Sequence, residues 1–116
     1  MDHKTIEDYI LSQPGAVLDY PFGEGTAVYK VPESGKAEKE LKMFALISEN
    51  KQPVNLSLKC DPQLSEVLRE KYVTVMPGYH LNKKHWITII LSGEMPWDEV
   101  QALIRHSYQL VSGIEV

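Results

Sequence analysis

The spacing of apolar residues switches between helical and alternating periods along the chain, and the switches mark the predicted element boundaries. Ile6, Tyr9 and Ile10 stand at i, i+3 and i+4, which predicts a helix over 4–13 stopped by Pro14-Gly15. Short strands follow at 16–20 and 26–31, joined by Pro21-Phe22-Gly23-Glu24-Gly25, whose glycines predict a hairpin turn. After a charged connection, residues 43–48 are apolar on both faces, as a central strand requires. Val54, Leu56, Leu58 and Cys60 then alternate with Asn55, Ser57 and Lys59, the pattern of a strand with one wet face. Asp61 is a good N-cap and Pro62 a good first helical residue, with Leu64, Val67, Leu68 and Tyr72 as the apolar stripe. Residues 73–76 predict a short strand broken by Pro77-Gly78. Residues 86–91 predict a longer one, with Ile87, Ile89 and Leu91 on its core face. The last helix starts near Pro96. Val100, Leu103, Ile104, Ser107 and Val111 line its packed face, and Asp98 and Glu99 sit in the first turn, where the dipole favours acids.

The order is therefore helix, four strands, helix, two strands, helix. Strands in runs rather than in strict alternation with helices predict an α+β two-layer sandwich with a mainly antiparallel sheet. The 116 residues contain no internal repeat, low-complexity tract or long linker, so one domain over 1–116 is expected.

Composition narrows the function classes. Hydrophobic residues at 43% and charged residues at 24% are ordinary for a globular chain. No apolar run reaches the ~18 residues of a membrane helix, and Met1-Asp2-His3-Lys4-Thr5 opens no secretory signal. A cytoplasmic protein without a membrane partner is the expectation. Twelve basic against sixteen acidic residues give −4, which argues against a dedicated nucleic-acid binder on whole-chain arithmetic. Locally the balance reverses. From Lys71 to Gly93 there is no acid, while Lys71, Lys83, Lys84, His80 and His85 all fall there.

Candidate chemistry concentrates in that window. Tyr79, His80, Asn82, Lys83, Lys84, His85 and Trp86 combine cations, an amide and aromatics within one connection between two strands. Two readings stand. Lys83 and Lys84 hold phosphate while Tyr79 or Trp86 stacks a base, or the segment is a polar hairpin connection whose aromatics cover the sheet edge. Cys60, His80 and His85 lack the spacing of a metal site, so no metal or cofactor is expected. Cys60 falls on the apolar face of its strand, as a packing thiol does. His106 and Ser107 are adjacent on a helix and form no dyad, which reads as a surface histidine beside a small packing residue. No phosphate-binding loop, nucleophile elbow or paired-carboxylate motif is present, and an enzyme is not expected.

Three segments resemble the MmcQ/YjbR family. They are Asn55-Leu56-Ser57-Leu58-Lys59-Cys60-Asp61-Pro62 with Leu68-Arg69, then Pro77-Gly78-Tyr79-His80-Leu81-Asn82-Lys83-Lys84-His85-Trp86, then Ser107-Tyr108-Gln109-Leu110-Val111. The resemblance implies a two-layer α+β fold of the kind compared with CyaY (frataxin-like) proteins and type III secretion chaperones. It also implies the family's usual description, a DNA-binding protein with a double-wing arrangement. Leu81 stands where many members carry Met. The stretch 32–42 is longer and more charged than the family's tight connection. Read as a wing, it carries Lys36, Lys39 and Lys42 against Glu33, Glu38 and Glu40, close to neutral.

Two functions follow as expectations. One is binding of duplex DNA, with Lys59, Lys83 and Lys84 meeting phosphates and His80, Asn82 and His85 donating hydrogen bonds. The other is a protein-interaction or chaperone-like module that uses a sheet face or the Trp86 and Trp97 region. The net charge favours the second, the local basic window and the resemblance the first.

Overall fold

The computed structural model describes residues 2–33, 40–78 and 81–114. Its elements run α1 (His3–Leu11), β1 (Val17–Asp19), β2 (Thr26–Pro32), β3 (Leu41–Ser48), β4 (Asn55–Lys59), α2 (Pro62–Lys71), β5 (Val75–Pro77), β6 (Trp86–Ile90) and α3 (Trp97–Ser112). The strands form one six-stranded antiparallel sheet in the order β1-β2-β3-β4-β6-β5. The predicted element order and fold class are both observed.

Strand periodicity sorts the side chains onto two faces. Ala27, Tyr29, Phe44, Ile47, Leu56, Leu58, Ile87 and Ile89 face the helices and make the main core with Ile6, Ile10, Val100, Leu103 and Ile104. Polar anchors fix the helices over it. Tyr72 donates to Glu99 at 2.7 Å, joining α2 to α3, and Tyr108 donates to the Pro14 carbonyl at 2.6 Å. Asp2 caps α1 by accepting from the Thr5 N–H at 2.9 Å, and this sets the helix start at His3.

Two sequence expectations are corrected. Val67 does not belong to the buried stripe of α2; it is 58% exposed, and Ser65 and Leu68 are the buried residues. On a 3.6-residue helix, Leu64, Leu68 and Tyr72 already fill the inward line, which turns Val67 outward. The outward face of β4 is not simply wet either. Ser57 is buried there, its hydroxyl 2.9 Å from that of Thr88 on β6. Around this pair, Val28, Leu46 and Trp86 form a second, smaller apolar cluster, with Met43 and Leu81 against it. Among the described residues, no helix is long and apolar enough to cross a membrane.

Candidate functional site

Where β4 turns into α2, three consecutive backbone N–H groups leave the regular ladder, and each must find a partner. Lys59 donates to Ser107 Oγ at 3.0 Å, Cys60 to the His85 carbonyl at 2.8 Å, and Asp61 to His106 Nε2 at 3.1 Å. Asp61 then caps α2, its Oδ2 accepting from the N–H groups of Gln63 and Leu64 at 3.0 and 3.2 Å. The three segments that carry the family resemblance thus meet at one corner.

Ser107 completes this joint. β3 holds one extra residue, Phe44, because Tyr29 pairs with Ala45 and Lys30 with Met43. Pairing between β3 and β4 ends at Ala45 and Leu58. At the next position the fully buried Ser107 hydroxyl takes the place of a ladder rung, accepting from Lys59 and donating to the Phe44 carbonyl at 2.5 Å. His106 beside it must be neutral at Nε2 to accept. Partial burial lowers its pKa from the ordinary 6.5, while the Asp61 charge acts in the opposite direction.

Beyond the Ser107 rung the strands part and a cleft of about 670 Å³ opens. Leu41, Lys42 and Met43 line it from β3, Lys59 and Trp86 from β4 and β6, and Leu110 and Val111 from α3. Lys30, Glu33, Pro21 and Phe22 complete its wall. Lys30 is held by Asp19 at 3.2 Å, whereas Lys42 and Lys59 have no ion-pair partner among the described residues. A second groove of about 420 Å³ shares Phe22 and is lined by Thr26, Ser48, Asn50 and Asn55, over Leu46 and Leu81. Among the described residues, Lys51 is its one charged lining residue.

The connection before β6 is a built turn. Its entry needs Gly78, since a Cβ there would lie 2.5 Å from the Trp86 Cβ. Gly78 donates to the Trp86 carbonyl at 2.8 Å. The Asn82 carbonyl accepts from His85 and Trp86 at 3.2 and 3.0 Å, and its Oδ1 accepts from the Lys84 N–H at 2.9 Å. Asn82, Lys83, Lys84 and His85 are exposed, and the turn runs directly into Trp86, the register partner of Lys59. Trp86 itself is only 9% exposed, so it walls the cleft and offers no free stacking face. Tyr79 and His80 lie outside the described residues, as do Lys36, Lys39 and Glu38 of the expected wing. Cys60 is buried, and burial with the nearby Asp61 charge pushes its thiol up to about 11. Among the described residues, no group of three His, Cys, Asp or Glu side chains is placed to hold a metal ion.

The YjbR family model matches residues 11–110. The chain belongs to the YjbR family. It is similar to the uncharacterized protein YbdF of Escherichia coli O157:H7, at 36% identity over 94% of this chain and 83% of that one. It is also similar to the uncharacterized protein YjbR of Escherichia coli K12, at 33% over 87% and 79%. Among solved structures, Deinococcus radiodurans DR2400, which carries a DUF419 domain, superposes with a TM-score of 0.85. Identity there is 36%, over 92% of this chain and 75% of that one. A Pseudomonas syringae protein superposes at 0.75, with 28% identity over 96% and 99%. The corner, the Asn82–His85 turn and most of the cleft fall within the matched YjbR region.

Sequence reasoning missed Ser107, His106 and Phe22 as site builders. For Ser107 the signal was present: a hydroxyl on the apolar stripe of a helix has to find partners inside the core.

Proposed function

We propose that this YjbR-family chain binds nucleic acid through the phosphate backbone, with Lys42, Lys59, Lys83 and Lys84 as the contacts. The observation that carries this reading is the cleft beside the Ser107 rung. Lys42 and Lys59 flank it without an ion-pair partner among the described residues, outnumbering its one described lining acid, Glu33, and Trp86 leads from it into the turn that presents Lys83 and Lys84. Salt screens charges beyond ~10 Å, so a local group of lysines acts even on a chain of net −4. Contacts of this type position a strand without reading its sequence. Asn82 acts by shaping the turn, and His85 is exposed at its end beside Lys84.

The test is fluorescence anisotropy of a labelled duplex of about 20 base pairs across a salt series. Each neutralised phosphate contributes about −0.9 to the slope of log K against log salt, so four contacts give a slope near −3.6. Failure of the protein to bind at low salt overturns the reading. The role would then pass to protein contact, for which edge strand β1 offers the exposed Val17 and Leu18.

A further inference from the structure

We infer that the open sheet face selects unpaired nucleotides: Phe22 stacks the base, the amides and hydroxyls of the smaller groove hold its edge, and the cationic cleft takes its phosphate. This rests on the nucleic-acid reading above and names the kind of strand that the same face would take.

Three observations converge on it. Phe22 is 65% exposed and, among the described residues, is the one that lines both cavities, so it forms the ridge between them. The turn that carries it is backbone-defined. Gly23 and Gly25 have φ of +89° and +96°, and a Cβ on Gly25 would lie 2.2 Å from Asn50 Nδ2. The ring therefore stands on a defined turn with an apolar face open to solvent.

The groove on one side of the ridge supplies neutral hydrogen-bonding groups, with Lys51 at its wall. Thr26, Ser48, Asn50 and Asn55 line it, and none of these side chains is engaged by another residue among the described ones. Amides and hydroxyls both donate and accept, which matches the mixed donor and acceptor edges of a nucleobase. On the other side, Lys42 and Lys59 supply positive charge. A neutral sugar would leave that cleft unmatched, and a simple anion would leave the groove unmatched. A nucleotide fits both. Bases in a duplex are stacked and paired, so only an unpaired base can lay its face on Phe22.

The experiment compares a labelled single-stranded DNA of about 20 nucleotides with the duplex of the same sequence, for the parent, Phe22→Ala and Phe22→Tyr. The parent should bind the single strand more tightly than the duplex. Phe22→Ala should weaken single-strand binding roughly tenfold or more, weaken duplex binding several-fold less than that, keep the salt slope, and be rescued by Phe22→Tyr. Because Phe22 is exposed on a turn, the melting temperature should not move. Equal or tighter duplex binding, or an indifferent Phe22→Ala, overturns this inference and leaves the phosphate reading intact. Binding of neither probe overturns both.

Discussion

The hydroxyl of Ser107 and the backbone N–H of Lys59 meet at 3.0 Å in the rung position where β3 and β4 have already parted. The same hydroxyl donates to the Phe44 carbonyl, so a helix side chain closes a gap in the sheet. Ser107→Ala would leave a half-buried N–H and a buried carbonyl unpaired. The expected loss is about 1–3 kcal/mol, read from urea unfolding. An unfolding midpoint equal to the parent's would show that the rung contributes nothing to stability.

His106 adds a pH dependence at the same corner. Its folded pKa lies below the ordinary 6.5, because burial disfavours the charged ring by more than the Asp61 charge favours it. The unfolded chain therefore binds this proton more tightly than the folded one. The contribution is complete above about pH 6.5 and is lost as pH falls through the folded value. Thermal melts of the parent and His106→Gln across pH 4.5–7.5 should show a smaller acid loss in the variant. Parallel curves would remove His106 from the account.

Cys60 should be inert in the native state, since it is buried with its pKa pushed up to about 11. A thiol reagent at pH 8 should label the folded protein slowly and the urea-unfolded protein fast. Rapid labelling of the native protein would mean that the corner opens readily.

Ile89 tests the core face of β6. It is fully buried, paired with Leu56 and Val75. Ile89→Asp should cost at least about 3 kcal/mol, because an unpaired charge enters the core. A melting temperature equal to the parent's would contradict the facing of the strand.

How much of this was legible in the sequence differs by kind of information. Element order and strand faces follow from period, which is local, so Ile87 and Ile89 on β6 and Val100 to Val111 on α3 were readable directly. The N-cap role of Asp61 was readable for the same reason. The corner was not, because its bonds join Lys59 to Ser107 and Asp61 to His106, 48 and 45 residues apart. Trp86 was legible as an aromatic beside lysines, but its burial depends on Val28 and Leu46 from two other strands. Lys42 sits in a stretch whose charges balance, and the extra residue Phe44 and the parting of β3 from β4, which bring it to the cleft, have no signature in composition. Phe22 reads from the sequence as one residue of a turn, because its exposure is a property of the assembled sheet.

The most direct test of the phosphate-binding claim is the salt slope of duplex binding for the parent and for Lys83→Ala/Lys84→Ala. Both lysines are exposed on a turn whose shape is held by Asn82 and Gly78, so the fold should be unaffected. Loss of two phosphate contacts should reduce the slope of log K against log salt by about 1.8. An unchanged slope, or no binding by the parent at low salt, would contradict the assignment of this face to nucleic acid.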